Sequence, residues 1–302
     1  MLINRLEQKS AGLNGRFLQG IGLIVLAAWS AFVISMDAGN KSNGWGVPFP
    51  PFRIAGNLFY VGDQDLASYL IATPQGLILI NSNINQDVPL IQKSVEKLGF
   101  HFRDIKILLI SHAHYDHCEG SARIIELTHA KYFVMAGDAE VVESGGKKDF
   151  QYGGEHGTHY PAAKVDRVLH DGDKVELGGS ALVAHLTAGH TKGTTTWTMD
   201  VQQDGKTLHA VIIGSPNVNP GYKLVNNKAY PQIAEDYERG FEALRSLPCD
   251  IFLGAHGSYF GLKEKYKRWK AGDHEAFLDP AGYKNYVNER QQAFEDALKH
   301  QQ

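Results

Sequence analysis

Residues 105–117 read IKILLISHAHYDH: an apolar run interrupted only by Lys106, then three histidines and an aspartate within six residues. A strand with one wet face alternates polar and apolar side chains, so a near-continuous run predicts a strand covered on both faces. Such a strand needs a packed layer on each side, which points to a layered α/β fold. His112, His114, Asp116 and His117 leave its carboxyl end, where α/β folds hold reactive side chains on a rigid base facing an open crevice. Independent draws at this composition would give HxHxDH in about one chain in a thousand, so coincidence explains it poorly.

Strand and helix patterns alternate around this run. LFYVG and SYLIATPQGLILINSN read as strands with a turn at residues 74–76. Residues 86–98 read as a helix burying Val88, Ile91, Val95 and Leu98, with Asn85 as its cap and Gly99 past its end. A second helix is expected from near Glu119, carrying Ile124, Ile125 and Leu127, and KYFVMA returns as a strand. Residues 142–160, with GGKKDFQYGGEHGTHY, read as a long functional loop. The second half repeats the logic: strands in KVELGGSALVAHLT, TTTWTMDV and HAVIIG, a helix over 231–247, a strand in CDIFLGAHG and a terminal helix over 283–299. From about residue 45 onward this gives one domain of two similar α/β halves.

Ahead of it lie two other segments. Arg5, Lys9 and Arg16 precede an uncharged stretch, 17–36, centred on IGLIVLAAWSAFVI. That pattern is a secretory signal, with Ser35 or Ala38 before the cleavage point; an uncleaved membrane anchor is the rival reading. Either exports residues 39–302, and the expected location is the periplasm. GNKSNGWGVPFPPF follows as an irregular arm laid over the body. Thirty basic against thirty-three acidic side chains leave a net charge of −3, which gives no field favouring nucleic acid or an anionic membrane. A single disulfide would be ordinary for an exported chain with two cysteines. Cys118 lies beside the histidine cluster and Cys249 far along the chain, so each is expected to be a free buried thiol.

His190 in LTAGHTKGTTTW and His256 in IFLGAHGSY also follow strand-like runs and are flanked by glycine. With the first cluster they make six candidate ligands. His101, His129, His156, His159, His170, His185, His209, His274 and His300 lack that placement and read as structural or solvated, although His156 and His159 sit in a loop that could border the cleft. Imidazole and carboxylate ligands without thiolate favour zinc, and six suffice for two ions with open positions, the machinery of hydrolysis.

At His112-Ala113-His114-Tyr115-Asp116-His117 the chain resembles the metallo-β-lactamase superfamily. The resemblance implies a four-layer αβ/βα sandwich with its site at one edge of two facing sheets. Thioesterases, lactonases and phosphodiesterases of the superfamily usually carry a metal-bridging aspartate in a stretch like TGDTLF; here IIGSPNV puts Ser215 at that place. The stretches NPGYKLVNN, YPQIAEDYERGFEALRSLPCDIFLGAHGSYF, GNLFYVGDQDLASYLIATPQGLILI and HLTAGHTKGTTTW resemble subclass B3 β-lactamases. By matching position, His112, His114 and His190 would hold one zinc ion and Asp116, His117 and His256 a second. Asp116 would also orient the attacking hydroxide. The implied activity is opening of the β-lactam amide of penicillins, cephalosporins and carbapenems, a small-molecule reaction performed by a monomer. The alternatives are a lactone, ester or thioester hydrolase, and a non-catalytic metal-binding envelope protein.

Substrate contacts implied by the resemblance are Ser215, Asn217 and Asn219 in the loop before PGY, with Tyr152 and His156 in the long loop. Three departures from the family pattern stand out. LINSN at 79–83 lacks an LID-type aspartate. Tyr283 occupies the place of a cysteine that pairs, in some members, with one at the Cys249 position. Cys118 follows the motif where a small apolar residue is usual, and reads as a packing variant.

Overall fold

The computed structural model describes residues 44–302, so the expected signal segment 1–38 lies outside the described residues. Two sheets carry the architecture. The first runs in spatial order β1 (Phe52–Ala55), β2 (Leu58–Tyr60), β3 (Tyr69–Thr73), β4 (Gly76–Ile80), β5 (Ile105–Leu109), β6 (Lys131–Met135) and β7 (Arg167–Leu169). Its first four strands are antiparallel, and β4 to β7 are parallel. The parallel part requires crossovers, supplied by α1 (Val88–Lys97), by the single turn α2 (Tyr115–Cys118) with α3 (Ser121–Thr128), and by α4 (Ala136–Glu143) with the loop after it. The second sheet orders β12 (Ile251–Gly254), β11 (Lys206–Ile213), β10 (Thr195–Gln203), β9 (Ser180–Leu186) and β8 (Lys174–Leu177). Its helices are α5 (Ile233–Ser246), α6 (Leu262–Lys270) and α7 (Pro280–Gln301).

Alternation along the strands divides the interior in two. Ile78, Ile80, Ile107 and Leu109 belong to the core shared with Leu182, Ala184, Trp197 and Met199 of the second sheet. Leu77, Leu79, Ile105 and Leu108 belong to a second core with Val88, Ile91 and Val95 of α1 and Ile124 of α3. Strand β5 is therefore buried on both faces, the physical reason for IKILLI, and the fold is the αβ/βα sandwich. Each such side chain contributes about 2 kcal/mol through burial, and the Trp197 indole N–H donates to the Ile110 carbonyl across the sheets at 3.0 Å. The end of β5 is accordingly a fixed platform.

Several local expectations change. Asn85 does not cap α1: residues Asn85–Asp87 form a 3-10 turn, Asp87 is the N-cap without a side-chain bond, and a proline sits in the first helical turn. Leu98 is only half-buried, and Leu127 is 36% exposed while Thr128 takes the buried position on α3. Residues Ala136–Glu143 are helical, so the long loop begins after them. Strand β1 begins at Phe52, the last residue of the arm, and it, β7 and α6 stand in segments with no element foreseen. Cys118 is a free buried thiol as expected, and Cys249 is free and half-buried. Among the described residues no helix is long and apolar enough to cross a membrane.

Candidate metal centre

The segment after β5 leaves the sheet extended through His114 and then closes into α2. That path sends His112 and His114 toward His190, which lies in the β9–β10 loop. The three rings sit 4.7–4.8 Å apart, centroid to centroid, with donor atoms all within 4.8 Å of one another. Asp116 and His117, one turn further, meet His256 from the end of β12. Here His117 Nε2 and His256 Nε2 are 3.1 Å apart, and they lie 3.2 and 3.4 Å from Asp116 Oδ2. Zinc bonds of about 2.0–2.1 Å in a tetrahedron set donor atoms roughly 3.3 Å apart, so this triangle has the size of one face of a zinc site. His112, Asp116 and His117 also share a 4.8 Å cluster, which places the two groups side by side.

Protonation suits the same purpose, since metal ligands must present lone pairs. Burial holds His112 and His190 well below the ordinary histidine pKa and brings His114 down to about 4. Burial pushes Asp116 up, but His117 and His256 outweigh it and keep the carboxyl ionised. His256 is the exception: burial lowers its pKa, but Tyr259, Asp116 and Asp65 together raise it well above the ordinary value, so a metal bound there would displace a proton from the ring.

Outer hydrogen bonds fix the rings. His190 Nδ1 donates to the Asn217 carbonyl at 2.7 Å, and the Tyr222 hydroxyl donates to the His190 carbonyl at 2.8 Å. The Asp138 carboxylate on α4 accepts from the amides of Ala113 and Gly193 and from the Thr191 hydroxyl, joining the two histidine segments. At the position of the LID-type aspartate that this chain lacks, the Asn81 amide donates to the Ala67 carbonyl and its oxygen accepts from the Ser111 amide. A neutral amide thus ties the start of the motif to the neighbouring strand.

A cavity of about 420 Å³ opens over the centre, within the range of small-molecule sites. Tyr152 and Asn219 line it from opposite loops, bonded through Asn219 Nδ2 and the Tyr152 hydroxyl at 3.1 Å. Ser215 is buried beside Tyr259 and does not line the cavity. Asn217 acts on the site through its carbonyl, while its side-chain amide contacts Ser215 and Tyr286. His156 is exposed outside the cavity lining. Sequence reasoning missed Trp45, Asp149, Tyr160 and Tyr259 in the wall. The early sign for the first three was an arm and a loop rich in aromatics and glycine, and for Tyr259 its place three residues after His256 in IFLGAHGSY.

Two facing sheets with histidines converging from both at one edge define a metal-binding hydrolase centre. Comparison with known proteins narrows the class. The family model for the metallo-beta-lactamase superfamily matches residues 62–256. The native FEZ-1 metallo-beta-lactamase from Legionella gormanii is 57% identical, with a TM-score of 0.83 over 84% of this chain and 97% of that one. The class B3 di-zinc enzyme LRA-12 from an Alaskan soil metagenome is 37% identical, with a TM-score of 0.81 over 84% and 96%. BJP-1, a subclass B3 enzyme of Bradyrhizobium japonicum, is 33% identical, with a TM-score of 0.79 over 86% and 97%. The chain belongs to the metallo-beta-lactamase superfamily and is a hydrolase of its subclass B3.

Proposed function

We propose that this enzyme opens the amide bond of β-lactam antibiotics, penicillins, cephalosporins and carbapenems alike, using two zinc ions, and so confers antibiotic resistance. The observation that carries the reading is the pair of adjacent three-donor groups, one of three neutral imidazoles and one with a carboxylate. His112, His114 and His190 are assigned to one ion and Asp116, His117 and His256 to the other, in keeping with the di-zinc relative LRA-12. Bound zinc supplies Lewis acidity, lowering the pKa of water and polarising a carbonyl. The ionised Asp116 carboxylate orients the attacking water by accepting a hydrogen bond from it. Tyr152 and Asn219 bound the space over the centre and position the bicyclic substrate, while Asn217 acts one step removed, through the carbonyl that holds the His190 ring. The basic N-terminus followed by residues 17–36 supports export to the periplasm, where the chain acts as a monomer.

The zinc-loaded protein should hydrolyse nitrocefin and imipenem, and EDTA should abolish both. If no β-lactam in a broad panel is opened, the reading fails. Faster consumption of an acyl-homoserine lactone than of any β-lactam would favour a lactonase on the same fold.

A further inference from the structure

Asp65, in the turn between β2 and β3, is not one of the six candidate ligands, yet it contacts two distant segments, Trp45 and His256 to Ser258. Its Oδ2 accepts from His256 Nδ1 at 3.0 Å and from the Trp45 indole N–H at 3.2 Å. Its Oδ1 accepts from the Ser258 amide at 3.0 Å, and its carbonyl accepts from the Gly257 amide. A backbone bridge between Leu66 and His256 and a bond from the Ala67 amide to the Ala255 carbonyl hold the two segments side by side. The turn itself is braced by Asp63, whose carboxylate accepts from the amides of Gly46, Asp65 and Leu66. The carboxylate of Asp65 is therefore placed by backbone on both sides.

His256 presents Nε2 toward His117 and Asp116. That nitrogen can coordinate a metal only when the proton sits on Nδ1, and the partner of Nδ1 decides this. Trp45 is at the same time part of the cavity wall, packed against Tyr115 and His256 with ring centroids 5.9 and 6.1 Å away. Within the reading of His256 as a ligand, we propose that Asp65 is a positioning residue for the second metal. It selects the His256 tautomer whose Nε2 lone pair faces Asp116 and His117, and through the Trp45 indole it ties the N-terminal wall of the substrate cavity to that metal position.

Asparagine is a discriminating replacement because the two carboxylate oxygens of Asp65 serve different donors. Turned with its oxygen to Ser258, an asparagine would present its NH₂ to His256 Nδ1 and to the Trp45 N–H. That favours the tautomer with its proton on Nε2, the wrong nitrogen for coordination. Turned the other way, it sets NH₂ against the Ser258 amide. Trp45→Phe keeps a ring in the wall and removes only the donor.

The test titrates the metal-free full-length protein with Zn²⁺ against a chromophoric chelator and repeats the titration with Co²⁺, following its visible spectrum. Asp65→Asn should weaken one of two binding events about 10- to 100-fold, as loss of an orienting partner does, and leave the other unchanged. Trp45→Phe should weaken the same event by a smaller factor. Equal weakening of both events, or metal uptake that neither substitution changes, overturns the proposal alone. A wild-type protein that takes up no metal would overturn the functional reading and this proposal with it.

Discussion

Cys118 follows the histidine motif directly, but burial pushes its thiol well above the ordinary range, and Sγ–H donates to the His114 carbonyl at 3.1 Å. A thiol held neutral is neither a nucleophile nor a metal ligand. Cys118→Ser, whose hydroxyl can keep that bond, should leave nitrocefin hydrolysis within about twofold and cost about 1 kcal/mol of stability by denaturant titration. His114→Ala presents the opposite case, since it removes one of three donors. It should weaken zinc binding at that group and lower activity by more than about 100-fold, beyond what loss of an outer hydrogen-bond partner costs. Normal activity with two zinc ions bound would refute the assignment. The six candidate ligands could be read from sequence because histidine after a buried strand is a distinctive pattern. Asp65 and Asp138 could not, since a turn aspartate and a helix aspartate are commonplace until tertiary approach brings them to residues 191 and 53 positions away.

At the scale of elements, β4 to β6 were legible because burial in the sandwich leaves an apolar signature, whereas β1 and β7, the edge strands of that sheet, leave too short a pattern and went unread. Helix α4 was not legible either, for it follows β6 without a linker and AGDAEVVE has little periodicity. Yet α4 locks the two histidine segments together. A Cβ built on Gly137 would lie 2.2 Å from the Lys192 carbonyl oxygen and 2.7 Å from the Gly193 nitrogen, so only glycine lets the first helical turn meet the loop carrying His190. Gly137→Ala must push that backbone away. Overpacking of this kind costs about 1–3 kcal/mol, and the displaced loop should also bind zinc more weakly. A variant with unchanged melting temperature and zinc affinity would show that the contact relaxes at no cost.

At the scale of the whole molecule, the centre lies on the seam between halves: His112 to His117 come from the first sheet, His190 and His256 from the second. The two-half organisation was legible from the order of patterns, whereas the joints across the seam depend on pairings distant in sequence. One joint is the 63–66 turn, which bridges to the end of β12 and is backed by Asp87 at the start of α1. Asp87 is fully buried, and among the described residues neither of its carboxyl oxygens has a hydrogen-bond partner. Burial first and the neighbouring Asp63 next raise its pKa to about 8, with Glu119 adding to the effect and Asn83 opposing it. Asp63 itself is raised to about 6 by burial, against its three amide donors. The pair accordingly keeps a proton in the folded state that the unfolded chain, with carboxyls near 3.8, releases. Where the native state binds more protons, stability falls as pH rises. The contribution is complete below about pH 4 and is lost as pH climbs through about 8. Asp87→Asn removes the titration while keeping the shape. Melting temperatures should then be similar for the two proteins near pH 4, with the variant melting increasingly higher as pH rises to 9. Parallel curves for the two proteins across that range would show that the pair does not govern the alkaline loss of stability.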